Sequence, residues 1–339
     1  MSPLSRQKSP LLPSKSPQVR LAQQPLSWLY ALWKFARPHT IIGTSLSVFG
    51  VYLVAMATSQ VLTTPSAIAA FILYPSSIIL LSTLIACLCG NIYIVGLNQL
   101  EDIEIDRVNK PHLPLASGEF SRQQGWAIVI VTGILALAIS AMQGKFLMVM
   151  VWLSLLIGTA YSLPPVRLKR FPFWASFCIL SVRGAIVNLG LFLHFRSKLE
   201  EQVVEASGLQ IPPSMWALTL FILVFTFAIA IFKDIPDLEG DRRYHITTFT
   251  MQLGQGAVFN LARWVLTFCY IGMIIGSVLI PQINAPFLVT THLLALVAIW
   301  RLSQQVDLQD KGAIASFYQF IWKLFFLEYL LFPIACLIG

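Results

Sequence analysis

Charge is what this sequence has least of. Of its 339 residues only 11% are Asp, Glu, Lys or Arg, and only 15 are acidic. A soluble domain carries roughly 25% charged residues, so an ordinary cytosolic globule is excluded. A disordered chain is excluded as well, because disorder needs low hydrophobicity and 57% of this chain is hydrophobic. Cysteine is sparse too. Cys87, Cys89, Cys178, Cys269 and Cys336 are odd in number and stand inside apolar runs. They read as small buried hydrophobes, not as a disulfide framework or a thiolate metal site. Residues 1–25 hold no acid and no long apolar stretch, so they do not form a cleaved secretory signal. Residues 1–26 are read as a flexible tail, with a plastid transit peptide as the alternative. Residues 27–339 are read as one membrane-embedded domain.

What is abundant is long apolar sequence. Runs of about 17 residues or more can cross a bilayer as helices. Nine are present: 40–59, 76–99, 125–142, 146–162, 173–195, 214–232, 257–280, 285–302 and 316–337. A membrane barrel would show segments of about ten residues with strict alternation, and these runs are too long and too uniformly apolar. The fold class is therefore an all-α integral membrane protein with nine transmembrane helices. Residues 27–35, with two Trp and one Tyr, read as an amphipathic segment lying on the membrane surface.

The net charge of +8 would suggest nucleic acid in a soluble protein. Here the basic residues flank apolar runs, so the partner is the lipid bilayer and not nucleic acid. With nine spans, the tail and the loops after spans 2, 4, 6 and 8 hold 17 Lys and Arg, and the opposite loops hold Lys145, Arg196 and Lys198. The positive-inside rule then places the tail side in the cytoplasm, or in the stroma of a plastid.

The few acids are not scattered. Eight of the 15 lie in two windows, one just after span 2 and one just after span 6, both on the basic side. Asn98, Asp102 and Asp106 are spaced i, i+4, i+8, which puts them in one row if the helix of span 2 continues. Asp237 and Asp241 repeat the i, i+4 spacing after Lys233 and Asp234. Pro236 and Gly240 make a straight helix doubtful there, and a turn with Pro236 at a first helical position would suit. Solvated charges facing head groups are one reading. Clustered carboxylates repel one another, and a cation between them relieves that. Oxygen-only ligands suit Mg²⁺ bridging to phosphate, not zinc or copper. Arg107, Lys110 and Lys233, with Tyr161, Arg167 and Lys169 in the loop after span 4, would supply the donors a diphosphate needs; simple anchoring is the alternative for that loop. Arg183 lies inside span 5 near Asn188, where a charge usually faces a polar interior. His194 and His292 read as satisfied helix-end groups, and Glu328 as paired with a buried cation.

NxxxDxxxD after span 2, KDxxDxEGD after span 6 and nine spans resemble the UbiA superfamily of intramembrane prenyltransferases. The likeness is carried by residues 35–44, 98–111, 113–118, 161–170 and 233–241, and covers about residues 30–339. It implies a nine-helix bundle around a central cavity. Asp102, Asp106, Asp234, Asp237 and Asp241 would hold Mg²⁺ on the diphosphate of a prenyl donor, with Asn98 assisting. Within the family the likeness is greatest to members that prenylate homogentisate, on the Arg37-Pro-His-Thr40 segment. It implies phytyl diphosphate as donor, homogentisate as acceptor, loss of CO₂ and diphosphate, and a role in tocopherol synthesis in a cyanobacterial or plastid membrane. Arg37, held in place by Pro38, is the first candidate for the acceptor's carboxylate, with His39, Asn91 and Arg183 beside it. Geranylgeranyl or solanesyl transfer to homogentisate, another aromatic acceptor, and a multispan transporter are the alternatives. Transporters tend to carry their ionisable groups near the midplane, whereas these acids sit at helix ends.

Overall fold

The computed structural model describes residues 18, 20–21, 23–59, 75–200, 210–244, 247–281 and 283–339; the side chains of Pro75, Ser76, Glu200 and Asp241 are outside that description. The tail reading falls mostly on residues outside it. Helix α1 (Pro25–Phe35) is followed by α2 (Pro38–Ala57), α3 (Pro75–Glu101), the short α4 (Ile103–Asn109) and α5 (Pro114–Ser117), then α6 (Arg122–Gln143) and α7 (Lys145–Ser162). Helix α8 (Pro172–Ile179) passes through a π-helical segment (Leu180–Ile186) into α9 (Val187–Glu200). The chain continues as α10 (Pro213–Phe232), α11 (Asp234–Arg243), α12 (Phe249–Leu253), α13 (Gln255–Leu279), α14 (Ala285–Ser303) and α15 (Lys311–Leu337).

Among the described residues nine helices are long and apolar enough to cross a membrane, at the nine runs read from the sequence. Their starts are chemically marked. Pro occupies the first turn of α1, α2, α8 and α10, where its missing N–H costs no helix bond. Ser121 and Gln124 close a capping box at α6, and Asn284 and Asp310 cap α14 and α15. Large apolar side chains such as Ile134, Leu156, Phe173, Phe268 and Leu294 are exposed. In water such a surface would aggregate; in lipid it is the outer face of a multi-pass membrane protein.

The bundle closes around a core to which α2, α7, α9, α10, α13, α14 and α15 contribute. A second apolar cluster, built on Phe35, Leu97, Leu100, Phe120 and Val129, docks α1 onto α3, α5 and α6. The exposed Leu26, Leu29, Tyr30 and Trp33 leave the outer face of α1 apolar, as a surface-lying helix requires. His292 and Glu328 correct the sequence reading. His292 lies in mid-helix, and its Nε2 stands 3.2 Å from the Glu328 carboxylate, both fully buried between α14 and α15. The two side chains face each other across the contact between α14 and α15.

The π-helical segment has a local cause. Asn188 Nδ2 donates to the carbonyls of Gly184 (2.8 Å) and Arg183 (3.2 Å), and its Oδ1 accepts from Tyr329 Oη on α15 at 2.8 Å. The side-chain amide takes over carbonyls that a wider turn leaves without their usual donor, as the lack of water in a bilayer demands. Gly184 lies against the Leu223 backbone, where a Cβ would approach Leu223 Cα to 2.8 Å. A side chain there would push α10 away.

Both acid-bearing windows lie at one end of the bundle, where α4 meets α11. Single cysteines replacing His112 and Glu239 should react with a membrane-impermeant thiol reagent from one side, and one replacing Lys145 from the other. Of the native thiols, Cys87, Cys178, Cys269 and Cys336 are buried. Labelling of the first two positions from opposite sides would break the topology.

Candidate active site

The end that carries the acids opens into a cavity of about 370 Å³. Its rim is ionic. Asp102 accepts from Lys169 Nζ at 2.6 Å, Arg167 Nη2 at 3.1 Å and Asn98 Nδ2 at 3.0 Å. Lys110 Nζ donates to Asp237 Oδ2 at 2.5 Å, and Lys233 Nζ to Asp234 Oδ1 at 2.8 Å. Arg37 Nη2 stands 3.8 Å from Asp106 Oδ2, too far for a good hydrogen bond. Four carboxylates thus each face a cation, and all of these salt bridges except the neighbouring Lys233–Asp234 join segments far apart in sequence. Lys110, at the end of α4, reaches across to α11. Lys169, in a 3₁₀ turn after α7, reaches the end of α3.

The spacing placed Asn98, Asp102 and Asp106 on one continuous helix. The structure breaks that helix at Asp102 (φ −114°, ψ 19°), so α3 stops at Glu101 and α4 restarts at Ile103. The three side chains still line one cavity. The helix doubted at Pro236 and Gly240 does form: α11 runs through both, with Pro236 its third residue, where a missing N–H costs no helix bond. Gly240 is where α11 touches α4: its N–H donates to Asn109 Oδ1 at 2.8 Å, and a Cβ there would overlap that amide. Asp241 is in α11, but its side chain is outside the described residues.

Asp106 is the side chain least well served. It is buried, and its Oδ2 has no hydrogen-bond partner. Burial pushes its pKa up to about 6, against the opposing pull of Arg37 and Lys110. Lys169 is also buried, and loss of solvent lowers its pKa despite Asp102 beside it. A buried carboxylate oxygen without a donor is a natural cation ligand, and the rim offers oxygen ligands alone, which suit a hard ion. Among the described residues no three acids, His or Cys converge as a ready cage. The carboxylates are each turned to a Lys or Arg instead, and those cations would have to exchange partners for a metal to be held.

Below the rim the walls change character. His39 packs on the Trp322 ring at 4.8 Å between centroids. Asn91 Nδ2 donates to Thr40 Oγ1 at 3.0 Å, and Thr44 reaches Asn91 Oδ1 at 3.5 Å. Arg183 stacks on Trp322 and Phe325. Deeper walls, including Ala86, Met150, Val151, Leu155 and Val187, are apolar. From Asn98 to Ala86 along α3 is about 18 Å at helical rise.

Of the residues singled out from the sequence, Arg37, His39, Asn91, Asn98, Asp102, Asp106, Lys110, Tyr161, Lys169, Arg183, Lys233, Asp234 and Asp237 line this cavity. Two do not. Arg107 turns away to Glu104 at 2.6 Å, on a half-exposed face, because a cation three residues from an acid on one helix has a nearer partner than the cavity. Arg167 stands behind Asp102 and also donates to the Glu101 carbonyl at 3.3 Å. Pro38 was expected to limit the conformation of Arg37, and a residue before proline usually stays extended. Instead Arg37 has φ 54° and ψ 95°, a strained conformation for a non-glycine residue, taken where the surface helix α1 turns into the span α2. Thr40, Asn109, Tyr318 and Trp322 join the wall without having been marked. Trp322 lies in an aromatic-rich stretch of α15 that reads as ordinary core, and Asn109 carries no signal without α11 opposite it.

A sequence profile of the UbiA prenyltransferase family matches residues 59–324. The chain is 51% identical over 316 residues to a homogentisate phytyltransferase of Synechocystis sp., covering 91% of this chain and 96% of that one. It is 40% identical over 309 residues to homogentisate phytyltransferase 1, chloroplastic, of Arabidopsis thaliana, covering 90% and 75%. Among solved structures, a UbiA homolog from Archaeoglobus fulgidus bound to GPP and Mg²⁺ superposes with a TM-score of 0.59 at 17% identity, covering 91% of this chain and 100% of that one. That likeness is one of fold.

The α4–α11 contact gives a stability test. Gly240→Ala should cost about 1–3 kcal/mol, the scale of an overpacked contact, and lower the thermal midpoint of the detergent-solubilised protein. Gly272→Ala, where nothing lies within 4 Å of an added Cβ, should not lower it.

Proposed function

The chain belongs to the UbiA prenyltransferase family, and we propose that it transfers a phytyl group from phytyl diphosphate to homogentisate. The observation that carries this is the layering of one cavity: paired carboxylates and cations at the rim, a polar belt beneath, and apolar walls below that. A prenyl diphosphate has the same order of parts, a polyanionic head on an apolar tail. The named substrates rest on the 51% and 40% relatives.

Lys110, Lys169 and Lys233 neutralise the diphosphate, and Tyr161 stands on the wall near them. Asp102, Asp106, Asp234 and Asp237 would hold Mg²⁺, with Asn98 beside them and Asp241 one turn on from Asp237. Mg²⁺ there supplies positive charge to the diphosphate oxygens as the allylic C–O bond weakens. That bond breaks with its electron pair leaving on the diphosphate. A ring carbon of homogentisate forms the new C–C bond with a π pair and gives up its proton. The acetate arm loses CO₂ and takes up a proton, so the balance is one prenylated methylquinol, CO₂ and diphosphate. The packed aromatic wall of Tyr318, Trp322 and Phe325 faces the region where the allylic cation forms and can stabilise it, while the apolar depth keeps water from it. The rim faces the cytoplasm, or the stroma in a plastid, in keeping with the excess of Lys and Arg on that side. The membrane is a cyanobacterial thylakoid or plasma membrane, or a plastid membrane.

Asp102→Ala, Asp106→Ala, Asp237→Ala and Asp241→Ala should each lower turnover at least about 100-fold, the scale of losing a major electrostatic stabiliser. The check is an assay of membranes with homogentisate, Mg²⁺ and a panel of prenyl diphosphates, products identified by mass. Near-normal turnover in Asp102→Ala at unchanged protein level would overturn the metal assignment. Lys169→Ala should raise the donor KM about tenfold or more, as loss of a hydrogen bond to a charged group does. If donor KM and kcat both stay put, Lys169 is a topology anchor.

A further inference from the structure

Among the described residues, Arg183 is a cation of the cavity that no acid answers. The rim cations are each committed to a carboxylate: Lys110 to Asp237, Lys169 to Asp102, Lys233 to Asp234, and Arg37, more loosely, to Asp106. Among the described residues Arg183 makes no salt bridge. It touches aromatic faces, with Cζ 4.8 Å from the Trp322 centroid and 5.7 Å from that of Phe325. Those contacts hold the guanidinium plane without using its five N–H donors. The residue is half-buried, and its open side is the cavity.

Its depth matters. Arg183, Asn91 and Trp322 each lie about ten residues along their helices from the end that bears the acids, roughly 15 Å at helical rise. This is the polar belt, below the rim and above the apolar walls. An unpaired guanidinium there is costly, and the fold still takes trouble to place it. The π-helical turn that carries Arg183 is secured through Asn188, which bonds the Arg183 carbonyl and is held by Tyr329 on α15. Trp322, which Arg183 stacks on, is also the ring against which His39 packs.

We propose that Arg183 is the docking group for the carboxylate of an aromatic acid acceptor, held as a bidentate pair with its ring in the belt beside His39, Asn91 and Thr40. This rests on the prenyl-transfer reading above and replaces Arg37 as the first candidate, because Arg37 faces Asp106 and belongs to the rim. The diphosphate is met first by the rim lysines, so the two anions of the reaction go to two separate sets of cations. A planar fork matches a carboxylate in a way that a lysine ammonium does not.

The test compares homogentisate with its methyl ester, which keeps the ring and both hydroxyls and lacks the charge. Steady-state kinetics with homogentisate are measured on the wild type, Arg183→Gln, Arg183→Lys and Arg37→Gln in the same membranes, and the ester, which cannot lose CO₂, is measured as a competitive inhibitor against homogentisate. The expected result is that both Arg183 variants raise the homogentisate KM about tenfold or more, the loss expected for a hydrogen bond to a charged group. The donor KM stays within about twofold, and the ester's Ki changes little, so the preference for acid over ester collapses. Because acid and ester are compared on one preparation, a folding defect cannot produce that collapse. Parallel changes for acid and ester would overturn the proposal and leave Arg183 a packing residue. A selective rise in homogentisate KM in Arg37→Gln, with Arg183→Gln unaffected, would overturn it in favour of the rim. If the wild type does not prenylate homogentisate with any donor, the prenyl-transfer reading itself has failed, and this inference with it.

Discussion

A carboxylate removed from water needs a cation beside it, and the functional end of this protein is organised by that one requirement. Asp102, Asp234 and Asp237 are each met by lysine, and two of these pairs join elements far apart in sequence. Lys110 ties α4 to α11, and Lys169 ties the loop after α7 to the end of α3. The geometry of the rim and the placement of four carboxylates around one opening are therefore the same fact. Removing one partner of the best buried of these pairs, Lys169–Asp102, leaves a charge stranded, typically at a cost of about 3–5 kcal/mol. The constraint also prepares the chemistry proposed for the site. Each pair can open to an anionic substrate and a metal together, since cation and carboxylate then both gain a new partner.

Asp106 is where the compensation falls short. Its Oδ2 is buried without a donor, and Arg37 reaches only to 3.8 Å. Arg183 is the complementary case, a guanidinium with aromatic neighbours and no acid among the described residues. Native structures rarely leave buried polar groups unsatisfied. One unserved anion and one unserved cation, in the same cavity at different depths, are what a site built for two charged ligands would show.

Helix packing supplies the rest. The π-helical turn in the fifth span depends on Asn188 replacing lost carbonyl donors, and Asn188 depends on Tyr329. Gly184 lets α10 come within backbone distance of its neighbour, and Gly240 makes room for the Asn109 amide at the end of α4. In lipid there is no hydrophobic gain in bringing helices together, so close contact and internal hydrogen bonds carry that task.

Nine spans, the sidedness of the charges and the two acid windows could be read directly from the sequence, because each depends on local composition. Hydropathy acts over about 20 residues, and i, i+4 spacing holds on any helix. Thirteen of the residues marked from the sequence and the family resemblance it carries do line the cavity. The departures are partly local breaks and pairings and partly contacts between distant segments. Asp102 interrupts its helix, and Arg37 takes a strained backbone at the corner from α1 to α2. Arg107 chose Glu104, and Glu328 and His292 found each other between α14 and α15. Asn109 and Trp322 carry no signal of their own, since an amide and an indole become part of a site only when another helix faces them. The sequence determines which charges exist and at which end of the bundle the acids gather. Which cation answers which carboxylate, and that Arg183 answers none among the described residues, is settled by tertiary packing, because electrostatic pairing depends on separation in space across the bundle and not on separation along the chain.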